Sequence, residues 1–399
     1  MMTRRQAALA CTAALTGWAA ENKTAADDRV HLLRVPGGGL QPQVAVDERG
    51  TLHLVYYEGD AHKGNLLYVR SKDHGSTFST ALPVNSQPGT AIAAGTIRGA
   101  QLAVGKTGQV HVAWNGSNEA DPKGPVNPDS GKPGAPMLYS RLDDAGKAFE
   151  AQRNLMHHSF GLDGGGSVAA DRSGNVYVAW HGIGESEASG RGKEGEARRQ
   201  VWLTKSQDGG RSFSTEAPAW SQPTGACGCC GLKVFASRRG NLLGLYRSAT
   251  ESVHRDIYLL TSKDQGKSFQ GSLLHKWNIN ACPMSSMDFA ENTDTVVGAW
   301  ETGGQVYWAR LGSDGPGQPV AAPGEGKGRK HPRVAVNQSG EVLLAWTEGT
   351  GWQRGGSLAW QVFDGTGRPT SEAKQLPGIP AWSFAAVLPK PDNTFSIIY

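Results

Sequence analysis

Apolar and polar residues alternate along this chain in short bursts, clearest in "AQLAVGKTGQVHVAW" from Ala100, "GSVAADRSGNVYVAW" from Gly166 and "PRVAVNQSGEVLLAW" from Pro332. Each burst alternates, breaks at Gly, Asp or Asn, and resumes. A period of two sends successive side chains to opposite faces, so each burst predicts an antiparallel hairpin and not a helix. The unit also begins at Pro42, Leu232, Ser286 and Phe384, which makes seven copies. A third apolar run such as "LLYVRS", "MLYSR", "VWLTKS" or "IYLLTS" follows most of them. Four short strands repeating every roughly 50 to 65 residues predict an all-β fold, a β-propeller of seven blades with six as the alternative. The expected organisation is an export signal over residues 1–20, an N-terminal segment over 21–39 and the propeller over 40–399. The last hairpin lacks outer strands, so Arg29 to Arg34 is expected to supply one and close the ring, which hides sheet edges.

After the third run comes a turn that repeats almost unchanged: "SKDHGSTF" from Ser71, "SQDGGRSF" from Ser206 and "SKDQGKSF" from Ser262. "LDDAGKAF" from Leu142 is a worn fourth copy, and Asp314-Gly315 and Asp364-Gly365 are remnants. This pattern resembles the Asp-box of the sialidase superfamily, a BNR-repeat propeller family, across about residues 40 to 399. The resemblance implies a structural role: Asp73, Asp208 and Asp264 bind turn amides, and Phe78, Phe213 and Phe269 pack between sheets. It also implies, for a true sialidase, three arginines on the substrate carboxylate, a Tyr–Glu pair and an Asp acid/base. Here Leu40 stands where the first arginine belongs and Asp60 where another would fall, while the "RVP" at Arg34 lies too early. Neither Leu nor Asp can hold a carboxylate bidentately, so sialic-acid hydrolysis is not expected.

Composition narrows the partners. Fifty-four glycines, twelve tryptophans and 19% charged residues suit a turn-rich β protein. The formal charge of +4 falls to about +2 if Arg4 and Arg5 leave with a signal, too little for a nucleic-acid surface. The opening "MMTRRQAALACTAALTGWAA" has the basic start, apolar stretch and small residues of an export signal, with features of twin-arginine and lipoprotein signals that neither completes. A secreted or periplasmic monomer without a transmembrane segment is expected, taking a small-molecule or glycan ligand.

Chemistry is expected on the face opposite the repeated turns, where the long insertions from Asn118 and Gly182 fall. Residues following the second-strand aromatics, Tyr57, Asn115, His181, Arg247, Glu301 and Thr347, are candidate ligand-binding positions, whereas Trp114, Trp180, Trp300 and Trp346 repeat at one blade position and predict packing. Two segments stand out: "GACGCCGLKVF" from Gly225 and "NACPMSSMDF" from Asn280. Cys227, Cys229 and Cys230 precede one innermost strand and Cys282 the next, so a ring brings all four to one mouth; Cys11 would leave with the signal. Exported cysteines ordinarily pair, which predicts two disulfides. The other reading is a metal site: C-x-C-C lacks zinc spacing, and soft sulfur with Met284 suits copper as Cu(I), Met287, His157, His158, His254 and His331 being further donors at that end. Between the segments, Glu251, His254 and Arg255 are candidates for acid/base catalysis. The C-x-C-C, "RDI", C-P order resembles that of exported sialidase-like bacterial proteins. A ligand-binding propeller, a noncanonical carbohydrate-active or copper-dependent enzyme, and a copper-binding protein remain as readings.

Overall fold

A computed structural model describes residues 29–184, 195–312 and 315–399. The export signal, Cys11, Asp314 and most of the Gly182 insertion's middle lie outside the described residues. Seven sheets follow one another around a ring. Blades one to six occupy residues 40–83, 101–154, 159–218, 233–275, 288–321 and 329–379, each an antiparallel meander running outward from the axis. Blade seven has only the hairpin Ala386–Pro389 and Phe395–Ile398, and Val30–Leu33 joins it as a third, outer strand. That strand pairs parallel with Phe395–Ile398, Val30 opposite Phe395 and Leu33 opposite Ile398. The end of the chain is thereby locked to its beginning.

The period-two pattern explains how the blades cohere. Alternate residues of one strand face different neighbours: Leu344 packs toward blade five, while Leu343 and Ala345 pack toward blade seven. The described residues form seven apolar clusters, one at each junction between neighbouring sheets, including the junction between blades seven and one. Trp114, Trp180, Trp300 and Trp346 belong to these clusters and are buried. Trp180 Nε1 donates to Ser159 Oγ at 3.0 Å, and Trp346 Nε1 to Glu348 Oε1 at 2.8 Å. All four are packing residues, not a sugar-stacking stripe, and Trp114 Nε1 is buried without a hydrogen-bond partner.

In the repeated turn, Asp208 Oδ1 accepts from Ser206 Oγ at 2.7 Å, Arg211 N at 3.0 Å and Ser212 N at 2.9 Å. Asp73 and Asp264 accept equivalent bonds. The worn copy shifts by one residue: Asp143 Oδ1 accepts from Lys147 N at 2.8 Å, which frees Asp144 to pair with Arg141 and Arg211. Aromatics bridge blades, Phe213 meeting Tyr139 edge-on at 4.8 Å and Phe149 meeting Tyr68 at 5.4 Å.

Candidate functional site

The cysteine segment is shaped by its backbone. Cys227 N donates to Arg247 O at 2.9 Å, Cys230 N to Cys227 O at 3.2 Å, and Gly231 N to Ser285 O at 2.9 Å. The chain therefore turns tightly on its way from blade three into blade four, tied to Arg247 of blade four and Ser285 at the entry to blade five. Cys227 Sγ lies 3.3 Å from Cys229 Sγ and donates to Cys230 Sγ at 3.5 Å. Cys227 and Cys230 are buried, Cys229 is half-buried and Cys282 is exposed. The four are unbonded thiols, and the sulfurs of Cys227, Cys229 and Cys230 converge on a common point. Cys227, Cys229 and Cys230 place their sulfurs within 4.8 Å of one another, and Glu196, Cys229 and Cys282 form a second such group. The cluster can therefore hold a metal ion.

Charged side chains surround these sulfurs. Glu196, from the tail of the Gly182 insertion, accepts from Gly228 N at 2.9 Å and pairs with Arg255. Arg247, only 1% exposed, bonds Glu301 Oε2 at 2.9 Å and Arg255 O at 2.9 Å, and its guanidinium lies 5.1 Å from the Trp277 ring centre. Burial opposes ionisation of Cys230, yet hydrogen bonds from Cys227 and Cys229 and the charge of Arg247 hold its thiol well below the ordinary range. Bonding to the other two thiols pushes Cys229 up. Burial also lowers His181 to about 4, with Cys230 opposing that change. His181 is fully buried, and neither ring nitrogen has a hydrogen-bond partner.

Other candidates disperse. Tyr57 is buried in the junction of blades one and two, where its hydroxyl reaches backbone carbonyls of Asp60 and Ala91, because its strand turns that ring sideways into the sheet stack. Asn115 Nδ2 donates to Asp163 O at 3.0 Å. Thr347 bonds Thr350 and Lys330 near the mouth. Glu251, with 78% of its side chain exposed, and His254 pair at 3.6 Å on the rim, and Asn278 Oδ1 lies 2.7 Å from His254 Nδ1. Of the proposed catalytic three, only Arg255 reaches the sulfur cluster, through Glu196. His157 and His158 are exposed beside blade three's outer strand, and Met287 is core. Met284 lines a shallow cleft together with Thr96, Lys330, His331, Trp352 and Trp382. Trp352 is 55% exposed and meets Trp382 edge-on at 4.7 Å. Glu196, Trp352 and Trp382 were not singled out by the sequence reading. Insertion length flagged the stretch that contains Glu196, but nothing local distinguished this acid from its neighbours.

The four arginines that could clasp an acidic substrate are each beside a carboxylate. Arg98 pairs with Asp163, Arg247 with Glu301, Arg255 with Glu196, and Arg333 lies 3.9 Å from Asp288. Arg34 stacks on Tyr399 at 4.0 Å beside the closing strand, not at the mouth. Lys233 Nζ donates to Gln101 Oε1 at 3.1 Å across the axis, adding to a polar layer beneath the mouth.

Ring and junctions together define a seven-bladed β-propeller. A Hadza microbial sialidase shares the fold with TM-score 0.51 and 15% identity over 77% of this chain and 63% of its own, so this chain spans less than two thirds of that enzyme. An alpha-L-arabinanase from Penicillium chrysogenum, in complex with arabinobiose, is similar with TM-score 0.51 and 15% identity over 84% of this chain and 95% of its own. A protein of unknown function from Dyadobacter fermentans gives 0.52 and 15% over 88% and 97%. No family model and no curated protein matches the chain.

Proposed function

We propose that this chain is an exported, ligand-binding propeller that captures a soft metal ion, Cu(I), at its cysteine-rich mouth. The observation that carries the reading is the convergence of Cys227, Cys229 and Cys230 within 4.8 Å of one another. Thiolate sulfur is a soft donor that favours Cu(I), and three sulfurs at one point suit the low coordination numbers of that ion. The carboxylate partners of Arg98, Arg247 and Arg255 favour this reading over an acidic-sugar clamp. The export signal expected over residues 1–20 supports a site outside the cytoplasm.

A second reading rests on Trp352. An exposed tryptophan braced edge-on by Trp382 in a polar-rimmed cleft offers a stacking surface for a neutral glycan, and the arabinobiose complex of the similar arabinanase supports trying that ligand.

One experiment addresses both. Protein purified anaerobically from the periplasm is titrated with Cu(I) against a chromogenic chelator, and separately with arabinobiose. Cu(I) retention that disappears in the Cys227→Ser, Cys230→Ser double variant is expected. Two disulfides found by thiol counting under denaturation, or no retained copper, overturns the metal reading. Arabinobiose binding lost in Trp352→Ala establishes the second.

A further inference from the structure

The two donor groups at the mouth share an atom. Cys227, Cys229 and Cys230 make one group; Glu196, Cys229 and Cys282 make the other; Cys229 Sγ belongs to both. A thiolate sulfur has lone pairs enough to bind two soft ions at once, so a shared sulfur between adjacent donor sets is the geometry of a bridge.

We propose that the mouth binds a pair of Cu(I) ions bridged by the Cys229 sulfur, a deepening that rests on the copper reading of this same site. The inner ion is held by Cys227, Cys229 and Cys230. The outer ion is held by Cys229, Cys282 and a carboxylate oxygen of Glu196. Each ligating thiol releases its proton to solvent, and copper enters and remains as Cu(I), so no electron is transferred.

The surroundings make the two positions unequal. Cys227 and Cys230 are buried, so the inner ion sits among sulfur alone and away from water. Cys282 is exposed and Glu196 half-buried, and a carboxylate oxygen is a harder donor that suits Cu(I) less. The outer ion therefore binds more weakly and exchanges first. Its ligands also come from different parts of the ring: Glu196 from the blade-three insertion, Cys229 from the entry to blade four, Cys282 from the entry to blade five. The inner ligands all come from one four-residue stretch. Filling the outer position consequently ties three blades together, while filling the inner one orders a single loop. Glu196 is already oriented for this by the Gly228 amide and Arg255, and the guanidinium groups of Arg247 and Arg255 offset the negative charge of several thiolates.

The test counts metal on the full chain. Native mass spectrometry during titration with Cu(I), and with Ag(I) as a redox-inert substitute, is expected to show two ions bound in sequence, the second at least tenfold more weakly. Cys282→Ser and Glu196→Gln, both away from the buried core, are expected to keep the first ion and lose or weaken the second by at least tenfold, with unchanged circular dichroism. X-ray absorption of the two-ion form is expected to contain a copper–copper scattering path. Saturation at one ion overturns the bridged pair while leaving the copper reading intact, and so does a second ion that persists unchanged in Cys282→Ser. Failure to bind any ion overturns both.

Discussion

His111 shows how burial fixes a protonation state. It is 1% exposed, and its Nδ1 lies 2.7 Å from Tyr139 Oη inside the junction of blades two and three. Burial, reinforced by Arg141, lowers it to about 3. The unfolded chain binds a proton near the ordinary histidine value of about 6.5, whereas the folded chain resists until about pH 3. Stability from this residue is therefore complete above about 6.5 and is lost as pH falls toward 3, at about 1.4 kcal/mol per pH unit. Urea midpoints measured at pH 7 and pH 5 are expected to differ by the equivalent of roughly 2 kcal/mol from this group. His111→Gln is expected to flatten that dependence, and an unchanged slope would show that other groups dominate. Arg247 illustrates a different economy of burial: a cation 1% exposed is tolerated because Glu301, Arg255 O and the face of Trp277 surround it.

At the scale of the element, the repeated turn explains why its residue types recur. The aspartate gathers amides that a tight turn leaves without strand partners, and the glycine lets the next blade approach. Gly210 has φ +80°, and a β-carbon there would fall 1.9 Å from Tyr139 Oη on the preceding blade. Both backbone and neighbour thus demand glycine. Gly210→Ala is expected to destabilise the fold by more than about 1 kcal/mol, read as a shift in urea midpoint, with Cu(I) binding at the opposite face unchanged. A neutral result would mean that the blades separate easily at this junction. The role of these turns was legible in the sequence because it depends on contacts within eight residues. The shift of the worn copy from Asp144 to Asp143 was not, because Arg141 and Arg211 compete for Asp144 from outside the turn.

For the whole molecule, closure is the structural event on which the mouth depends. The short strand Val30–Leu33 covers the edge of Phe395–Ile398 and contributes to the clusters flanking blade seven. Removing residues 29–34 leaves a two-stranded blade with an open edge. That variant is expected to melt at least 5 °C lower, roughly 4 kcal/mol or more for a chain of this size, and to aggregate faster by light scattering. A melting temperature equal to that of the intact chain would show that blades one and six hold the ring without the closing strand.

The sequence by itself determined the propeller: alternation with period two, turn residues at fixed offsets and seven copies of a hairpin depend on neighbours along the chain, and so does the meeting of two cysteine segments at the entries to adjacent blades. Tertiary structure alone decided which side chains complete the site. Glu196 joins the sulfurs from an insertion more than thirty residues away from Cys229, Tyr57 turns into a junction, and Glu251 and His254 stay on the rim. Ring closure sets distances between blades through packed side chains, and separation along the chain carries no record of them.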